Sequence, residues 1–266
     1  MNNYKIVLLS GDGIGPEISD VSKKILNKLS KKYNFNCELK EELFGGIAYE
    51  KKGLPAPQET LDVCKSSDAV LLACVGDKKY DSVSRNLRPE TGLLKLRSEL
   101  NLFANIRPVK IRKSLLNASS LKKEFIENVD LIVVRELTGG IYFGEPRGII
   151  NISGDKKGFN TMTYSSKEIR RITEVAIKIS QKRNNKICSV DKANVLEVSQ
   201  LWRDTVEEIM KNYPDIEFSN MYVDNAAMQL VRDPSQFDVI VTNNLFGDIL
   251  SDLAAMLSGS IGMLPS

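Results

Sequence analysis

The sequence has 266 residues and no histidine. That absence excludes Ser-His-Asp and Cys-His nucleophile pairs, His-ligated zinc and a haem held by a proximal histidine. Any general acid or base must be Lys, Tyr, Asp, Glu or Cys. Any metal must be held mainly by oxygen or thiolate. Cysteine is scarce too. Cys37, Cys64, Cys74 and Cys188 show no Cys-x-x-Cys spacing, which argues against a zinc or redox motif. Cys74 and Cys188 sit in apolar runs and read as small core residues. No stretch approaches the ~18 apolar residues of a membrane span, and the run Ile6 to Leu9 is too short for a signal peptide. Neither sign of charge dominates. Subtracting 34 Asp plus Glu from 37 Lys plus Arg leaves +3, too balanced for a broad basic nucleic-acid face. These exclusions lead to the expectation of a cytoplasmic chain with neither nucleic acid nor membrane as partner.

What is present is an ordinary globular composition, 42% hydrophobic, enough for one large domain or two smaller ones. Short apolar runs alternate with longer amphipathic stretches. Strands are predicted at Tyr4 to Ser10, Cys37 to Glu42, Asp68 to Val75, Asp130 to Arg135, Lys186 to Val190, Ile216 to Val223 and Asp238 to Thr242. Pro16 opens a helix whose apolar stripe is Ile18, Val21, Ile25 and Leu29. Further helices are predicted at Ser166 to Arg183, Glu197 to Tyr213 and Leu245 to Ser258. The alternation argues an α/β protein with much parallel sheet. The Gly-, Asn- and Asp-rich segment Ile149 to Thr163 reads as a loop or arm. Lys110, Arg112, Lys113, Lys122 and Lys123 read as a solvated surface.

In open α/β sheets ligands gather beyond the carboxyl ends of strands. Four predicted strands end in polar residues: Arg135-Glu136, Asp191-Lys192, Asp224-Asn225, and Asn243-Asn244 just before Asp248. Together they suggest a shared polar cleft. Asp248 and Asp252 lie four apart on one helix face. Either they form a solvated acidic face, or, in an otherwise apolar and mostly buried helix, they share a cation. All-oxygen ligation favours Mg²⁺ or Mn²⁺, with Asp224 as a third ligand. Arg97 and Arg107, with Arg135 at a strand end, suit a di- or tricarboxylate, although single arginines more often form surface ion pairs. Gly11-Asp12-Gly13-Ile14-Gly15-Pro16 is not a Rossmann fingerprint, because the third glycine falls on Pro16. It indicates a tight strand-to-helix turn.

In this order the blocks Gly11 to Glu17, Arg88-Pro89-Glu90-Thr91-Gly92-Leu93-Leu94, Arg135 to Gly144, Asp191-Lys192-Ala193-Asn194-Val195-Leu196 and Asn244-Leu245-Phe246-Gly247-Asp248-Ile249-Leu250-Ser251-Asp252 resemble the β-decarboxylating dehydrogenases of the isopropylmalate and isocitrate family. The resemblance spans the chain. It implies a two-domain α/β fold with a mixed, largely parallel sheet that is not a Rossmann fold. The segment Glu90 to Leu94 is similar to the isopropylmalate branch, whereas isocitrate enzymes carry a serine- and asparagine-bearing segment to hold a third carboxylate. The implied reaction is oxidative decarboxylation of 3-isopropylmalate to 2-oxo-4-methylpentanoate with reduction of NAD, a step of leucine biosynthesis. D-malate, tartrate and homoisocitrate dehydrogenases are relatives, and a non-catalytic homologous subunit is a reading from another class.

The resemblance also implies roles. Arg97, Arg107 and Arg135 clamp carboxylates, while Leu93, Leu94 and Val195 receive the isopropyl group, worth ~1.5–3 kcal/mol when buried. Asp224, Asp248 and Asp252 hold Mg²⁺ or Mn²⁺ against the substrate, Lys192 is the base and Tyr142 the acid. Ile14, Gly76, Asp77, Asp81, Glu90 and Asn194 lie along NAD. Here Gly76-Asp77-Lys78 stands where Gly-Gly-Pro is usual, and Tyr80 where Trp is usual. Residues 1–102 with 259–266 are expected to form the cofactor-side domain, and 103–258 the metal, substrate and dimer domain. Lys192 and Asp224 are expected to serve a homodimer partner's site, with Ile149 to Thr163 as intersubunit arm. Family members continue beyond the end of this chain into a His-Gly-Ser-Ala-Pro-Asp loop that grips the adenosine half of NAD. The chain as given is therefore expected to be poorly soluble and slow alone.

Overall fold

Strand β1 (Asn3–Gly11) buries Val7, Leu8 and Leu9 at its centre, as its continuous apolar run predicts. The computed structural model describes residues 2–259, so the part of the expected first domain at 260–266 lies outside the described residues. The chain divides into two compact units, one through Asn101 and one from Leu102.

In the first unit β1 is followed by α1 (Gly15–Tyr33), β2 (Asn36–Glu41), α2 (Gly46–Lys52), α3 (Gln58–Lys65), β3 (Ala69–Cys74) and α4 (Pro89–Glu99). The three strands form a parallel sheet in the order β2-β1-β3. Val7, Leu9, Phe44, Ala56, Leu61 and Leu96 make its core. At the turn after β1, Gly11 has φ +66°, and a Cβ there would lie 1.8 Å from the Cys74 carbonyl oxygen. The glycine serves close strand packing, not a phosphate fingerprint. Asp12, buried beside it, accepts N–H bonds from Gly46, Ile47 and Gly76, each at 2.9 Å. One carboxylate thus ties the turn to α2 and to the segment after β3.

The stripe predicted for α1 forms but is not covered within the described structure. Ile18, Val21, Ile25 and Leu29 remain 40%, 54%, 52% and 37% exposed. Cys74, expected in the core, is only half-buried, because β3 is an edge strand, while Cys64 on α3 is buried instead.

The second unit runs β4 (Ala104–Lys110), α5 (Lys123–Ile126), β5 (Asp130–Glu136), β6 (Gly148–Ile152), β7 (Asp155–Phe159), α6 (Ser166–Ser180), β8 (Lys186–Asp191), α7 (Glu197–Met210), β9 (Glu217–Tyr222), α8 (Val223–Arg232), β10 (Val239–Thr242) and α9 (Asn244–Ala255). Its main sheet has the order β4-β5-β10-β8-β9. β5, β10, β8 and β9 are parallel, and β4 is antiparallel to β5. Val109, Leu131, Val133, Ile240 and Leu250 belong to one core, and Ile172, Trp202, Val206, Val239 and Val241 to the other.

Three departures from the sequence expectations are local. Ile149 to Thr163 is mostly an antiparallel hairpin, β6 with β7, turning through Ser153 and Gly154, both at positive φ. The strand read to Val223 stops at Tyr222, where α8 begins. The helix read from Leu245 to Ser258 is α9 with a short 3₁₀ turn at Met256–Ser258, and it is not mostly buried on every side, since Ile249 is 55% and Met256 51% exposed.

Candidate active site

The four polar strand ends are neighbours. β5 ends at Arg135 and Glu136, β10 leads through Asn243 into α9, β8 ends at Asp191 just before Lys192, and β9 leads into α8 with Asp224 in its first turn. They are adjacent in the sheet because parallel strands all deliver their carboxyl ends to the same edge.

Arg135 is 2% exposed. Its Nη1 donates to Asp248 Oδ1 at 2.5 Å, and its Nε and Nη2 donate to Asn244 Oδ1 at 3.0 and 2.7 Å. The other oxygen of Asp248 accepts the Tyr142 hydroxyl at 2.8 Å. The ring of Tyr142 also lies under the guanidinium, 5.9 Å from its centroid. Arg107 comes from β4, two residues from Asn105, the residue paired with Arg135. Its guanidinium therefore shares a face with Arg135, and it reaches Asp252 at 3.5 Å. The acidic pair on α9 is not buried as expected: the Asp248 and Asp252 side chains are 40% and 51% exposed. Instead each meets its own arginine, which relieves the repulsion between them.

Lys192 donates to Asp224 Oδ1 at 2.6 Å, and this ammonium holds the Asp224 carboxyl below the usual carboxylate range. Behind Lys192, Arg203 forks onto the fully buried Asp191 at 2.9 Å on both oxygens. Arg203 and Lys192 both lie over the Tyr222 ring. Val195, the expected apolar contact, is 69% exposed, and Asn194 is exposed as well.

The remaining expected residues are in the first unit. Leu93, Leu94 and Arg97 are half-buried on α4. Ile14 is 63% exposed at the start of α1. Gly76 is half-buried with its N–H on Asp12, whereas Asp77, Asp81 and Glu90 are exposed. Tyr80 is buried, with its hydroxyl on Glu50 at 3.0 Å and its ring so close to Gly46 that a Cβ there would sit 1.8 Å away.

Among the described residues no three His, Cys, Asp or Glu side chains converge on a point that a metal ion could occupy. The three expected carboxylates therefore do not meet within one chain: Asp248 and Asp252 share α9, and Asp224 is engaged by Lys192. Sequence reading placed Asn244 at a polar strand end without a partner, and passed over three supporting residues. Asn244 holds Arg135, the Tyr164 hydroxyl accepts the Asn244 main-chain N–H at 2.9 Å, Arg171 donates to the buried Glu136 at 2.9 Å, and Arg203 braces Asp191. For Arg171 and Arg203 the available signal was an arginine on an amphipathic helix; Tyr164, before α6, gave none.

The sequence profile of isocitrate/isopropylmalate dehydrogenase matches residues 5–266. The chain belongs to the isocitrate/isopropylmalate dehydrogenase family. A 3-isopropylmalate dehydrogenase of Prochlorococcus marinus (strain MIT 9312) is 77% identical over the whole chain, which spans 74% of that relative. The 3-isopropylmalate dehydrogenase of Synechococcus sp. (strain CC9902) is 61% identical over the same span. Among solved structures, isocitrate dehydrogenase from Methylococcus capsulatus superposes with a TM-score of 0.85 at 34% identity, covering 98% of this chain and 73% of that one. The family fold explains the failed glycine fingerprint. The mixed, mostly parallel α/β architecture is that of these dehydrogenases.

Proposed function

We propose that this family member oxidises and decarboxylates 3-isopropylmalate, passing the hydride to NAD. The observation that carries the proposal is the meeting of Arg135, Tyr142 and Asp248 at one carboxylate, in a chain 77% identical to an enzyme of that name. Arg135 and Arg107 would bind the malate carboxylates through their forked N–H groups, with Arg97 contributing from α4. Lys192, neutral when it acts, would accept the hydroxyl proton as the hydride leaves. Tyr142 would return a proton to carbon after CO₂ departs. Leu93, Leu94 and Val195 would contact the isopropyl group. Ile14, Asn194 and the segment with Gly76, Asp77, Asp81 and Glu90 would orient NAD, residues 1–102 being the cofactor side.

The donor chemistry fits a hard divalent cation, Mg²⁺ or Mn²⁺, because only carboxylate oxygens are offered. The number of donors fits when a second copy supplies Asp224 to Asp248 and Asp252. Bound there, the cation would supply Lewis acidity towards the substrate hydroxyl and its neighbouring carboxylate. A homodimer is supported by exposed apolar residues on adjacent helices, Met228 and Val231 on α8 and Ile249 on α9. A cytoplasmic location agrees with the biosynthetic reaction, and no helix among the described residues is long and apolar enough to cross a membrane.

The test is NAD reduction with 3-isopropylmalate beside isocitrate, tartrate and D-malate, with Mg²⁺ or Mn²⁺ present. Preference for 3-isopropylmalate is expected. Preference for another substrate would reassign the branch, and binding without turnover would indicate a non-catalytic subunit. The presence of Lys192, Tyr142 and all three carboxylates weighs against that last reading.

A further inference from the structure

Two asparagines open α9, and they do different work. Asn243 caps the helix, its side chain accepting the Phe246 N–H at 2.9 Å. Asn244 is therefore not needed as a cap, yet it is fully buried and every hydrogen-bonding valence of its amide is used. Oδ1 accepts two N–H bonds from Arg135, at 3.0 and 2.7 Å. Nδ2 donates to the carbonyls of Leu137 and Gly139, both at 3.0 Å. Its main-chain N–H donates to the Tyr164 hydroxyl at 2.9 Å. The amide has only one acceptable orientation. Reversed, it would set N–H groups against the guanidinium and an oxygen against two carbonyls. Gly247, one turn on, leaves room for the arginine stem, since a Cβ there would meet Arg135 Cγ at 2.5 Å.

We propose that Asn244 is a positioning residue that fixes the direction of the Arg135 guanidinium for a substrate carboxylate without itself neutralising the charge, which in this chain is met by Asp248. A carboxylate in the same place would accept the same fork but neutralise it in an ion pair, and would set its other oxygen against the Leu137 and Gly139 carbonyls. The neutral amide fixes direction alone. Nη1 takes Asp248, whose side chain is 40% exposed, so the pair lies on the side of the guanidinium that solvent reaches. By holding the Leu137 and Gly139 carbonyls, the same side chain anchors the approach to the short turn Gly140–Tyr142. The inference rests on the reading of Arg135 as a substrate-binding group.

The test compares Asn244→Asp and Asn244→Leu in the full chain, with two readouts. The first is the ¹⁵N-detected Nε–H correlation of Arg135, assigned by its loss in Arg135→Lys. The parent and Asn244→Asp should show it protected from exchange, and Asn244→Leu should lose that protection. The second is the steady-state split: Asn244→Asp should raise KM for 3-isopropylmalate about tenfold or more, a larger factor than its loss in kcat. Asn244→Asp keeps the shape but sets its second oxygen against the Leu137 and Gly139 carbonyls, so a melting curve is taken on each variant. Asn244→Ala, which removes the amide without adding volume or charge, replaces either one that does not fold, with the outcomes expected of Asn244→Leu. A protected Arg135 Nε–H in folded Asn244→Leu, or parent-like KM in Asn244→Asp, would overturn the proposal. A parent that turns over none of the four substrates defeats the functional reading instead, and the Nε–H signal then decides the positioning role.

Discussion

Tyr142 and Arg135 each take one oxygen of Asp248, so acid, anion-binding and acidic groups are held together by direct bonds. Tyr142→Phe removes one hydroxyl and keeps the ring beneath the guanidinium. If Tyr142 is the proton donor, turnover should fall by roughly 10²–10⁴ with little change in thermal stability. Initial rates and a melting curve on the same sample check both halves, and a rate within twofold of the parent would remove Tyr142 from the chemistry. At this scale the sequence was readable where a residue type suits only one task. Arginine at a strand end and paired aspartates on a helix both lie where the pattern placed them. Asn244 was placed at a strand end but its role was not readable, because an amide beside a cap residue looks like a second cap until its partners are seen. The thiols were half readable: Cys188 is buried, and burial pushes it up to about 11, but Cys64, also pushed up to about 11 by burial, gave no apolar run to betray it.

Elements were legible from period and punctuation, and failed where neighbours overrule both. β4 carries Pro108, which argues against a strand, yet proline is tolerated on an edge and β4 is the edge of its sheet. The β6–β7 hairpin was masked by its polar composition, although Ser153-Gly154 between apolar residues is turn chemistry. At the opposite end of the sheet from the candidate site, Arg183 ties Asp130 at the start of β5 to the buried Asp238 just before β10, both at 2.8 Å. Arg183→Ala leaves Asp238 without a cation and should cost about 3 kcal/mol or more in urea unfolding at neutral pH. For Asp130, burial raises the pKa, but hydrogen bonds from Lys110 and Arg183 outweigh it and hold the carboxyl below its ordinary value. A depressed folded pKa stabilises above the unfolded value and loses that contribution as pH falls through the folded one. The gap between parent and Arg183→Ala should therefore narrow below about pH 4; a gap constant through that range would contradict this account. The α1 stripe makes a different prediction. Val21 and Ile25 are about half exposed, so Ile25→Lys should change stability by less than about 0.5 kcal/mol while lowering light scattering on concentration. Destabilisation well beyond that would mean the stripe is packed.

For the molecule as a whole, the question is whether one chain holds a complete site. Asp224 and Lys192 pair with each other and not with Asp248 and Asp252. With shared sites, Lys192→Ala and Asp248→Asn, each inactive alone, place both defects in one site of a mixed dimer and none in the other. After subunit exchange about a quarter of parent activity should return; no recovery would mean that each chain uses its own residues.

The exposed hairpin gives the same assembly a second handle. Its first strand, β6, carries Ile149, Ile150 and Ile152 at 76%, 44% and 52% exposure, and a lone two-stranded ribbon is marginal in water. Lys156 and Lys157 in β7 are exposed trypsin sites. If a second copy covers this ribbon, the half-time of tryptic cleavage there should lengthen as protein concentration rises, with the trypsin concentration held constant and the protein kept below the KM of trypsin for it. Cleavage at one rate across all concentrations would show that the ribbon stands alone. The hairpin then serves as a clock on the lifetime of the free subunit, readable by gel without substrate, metal or cofactor.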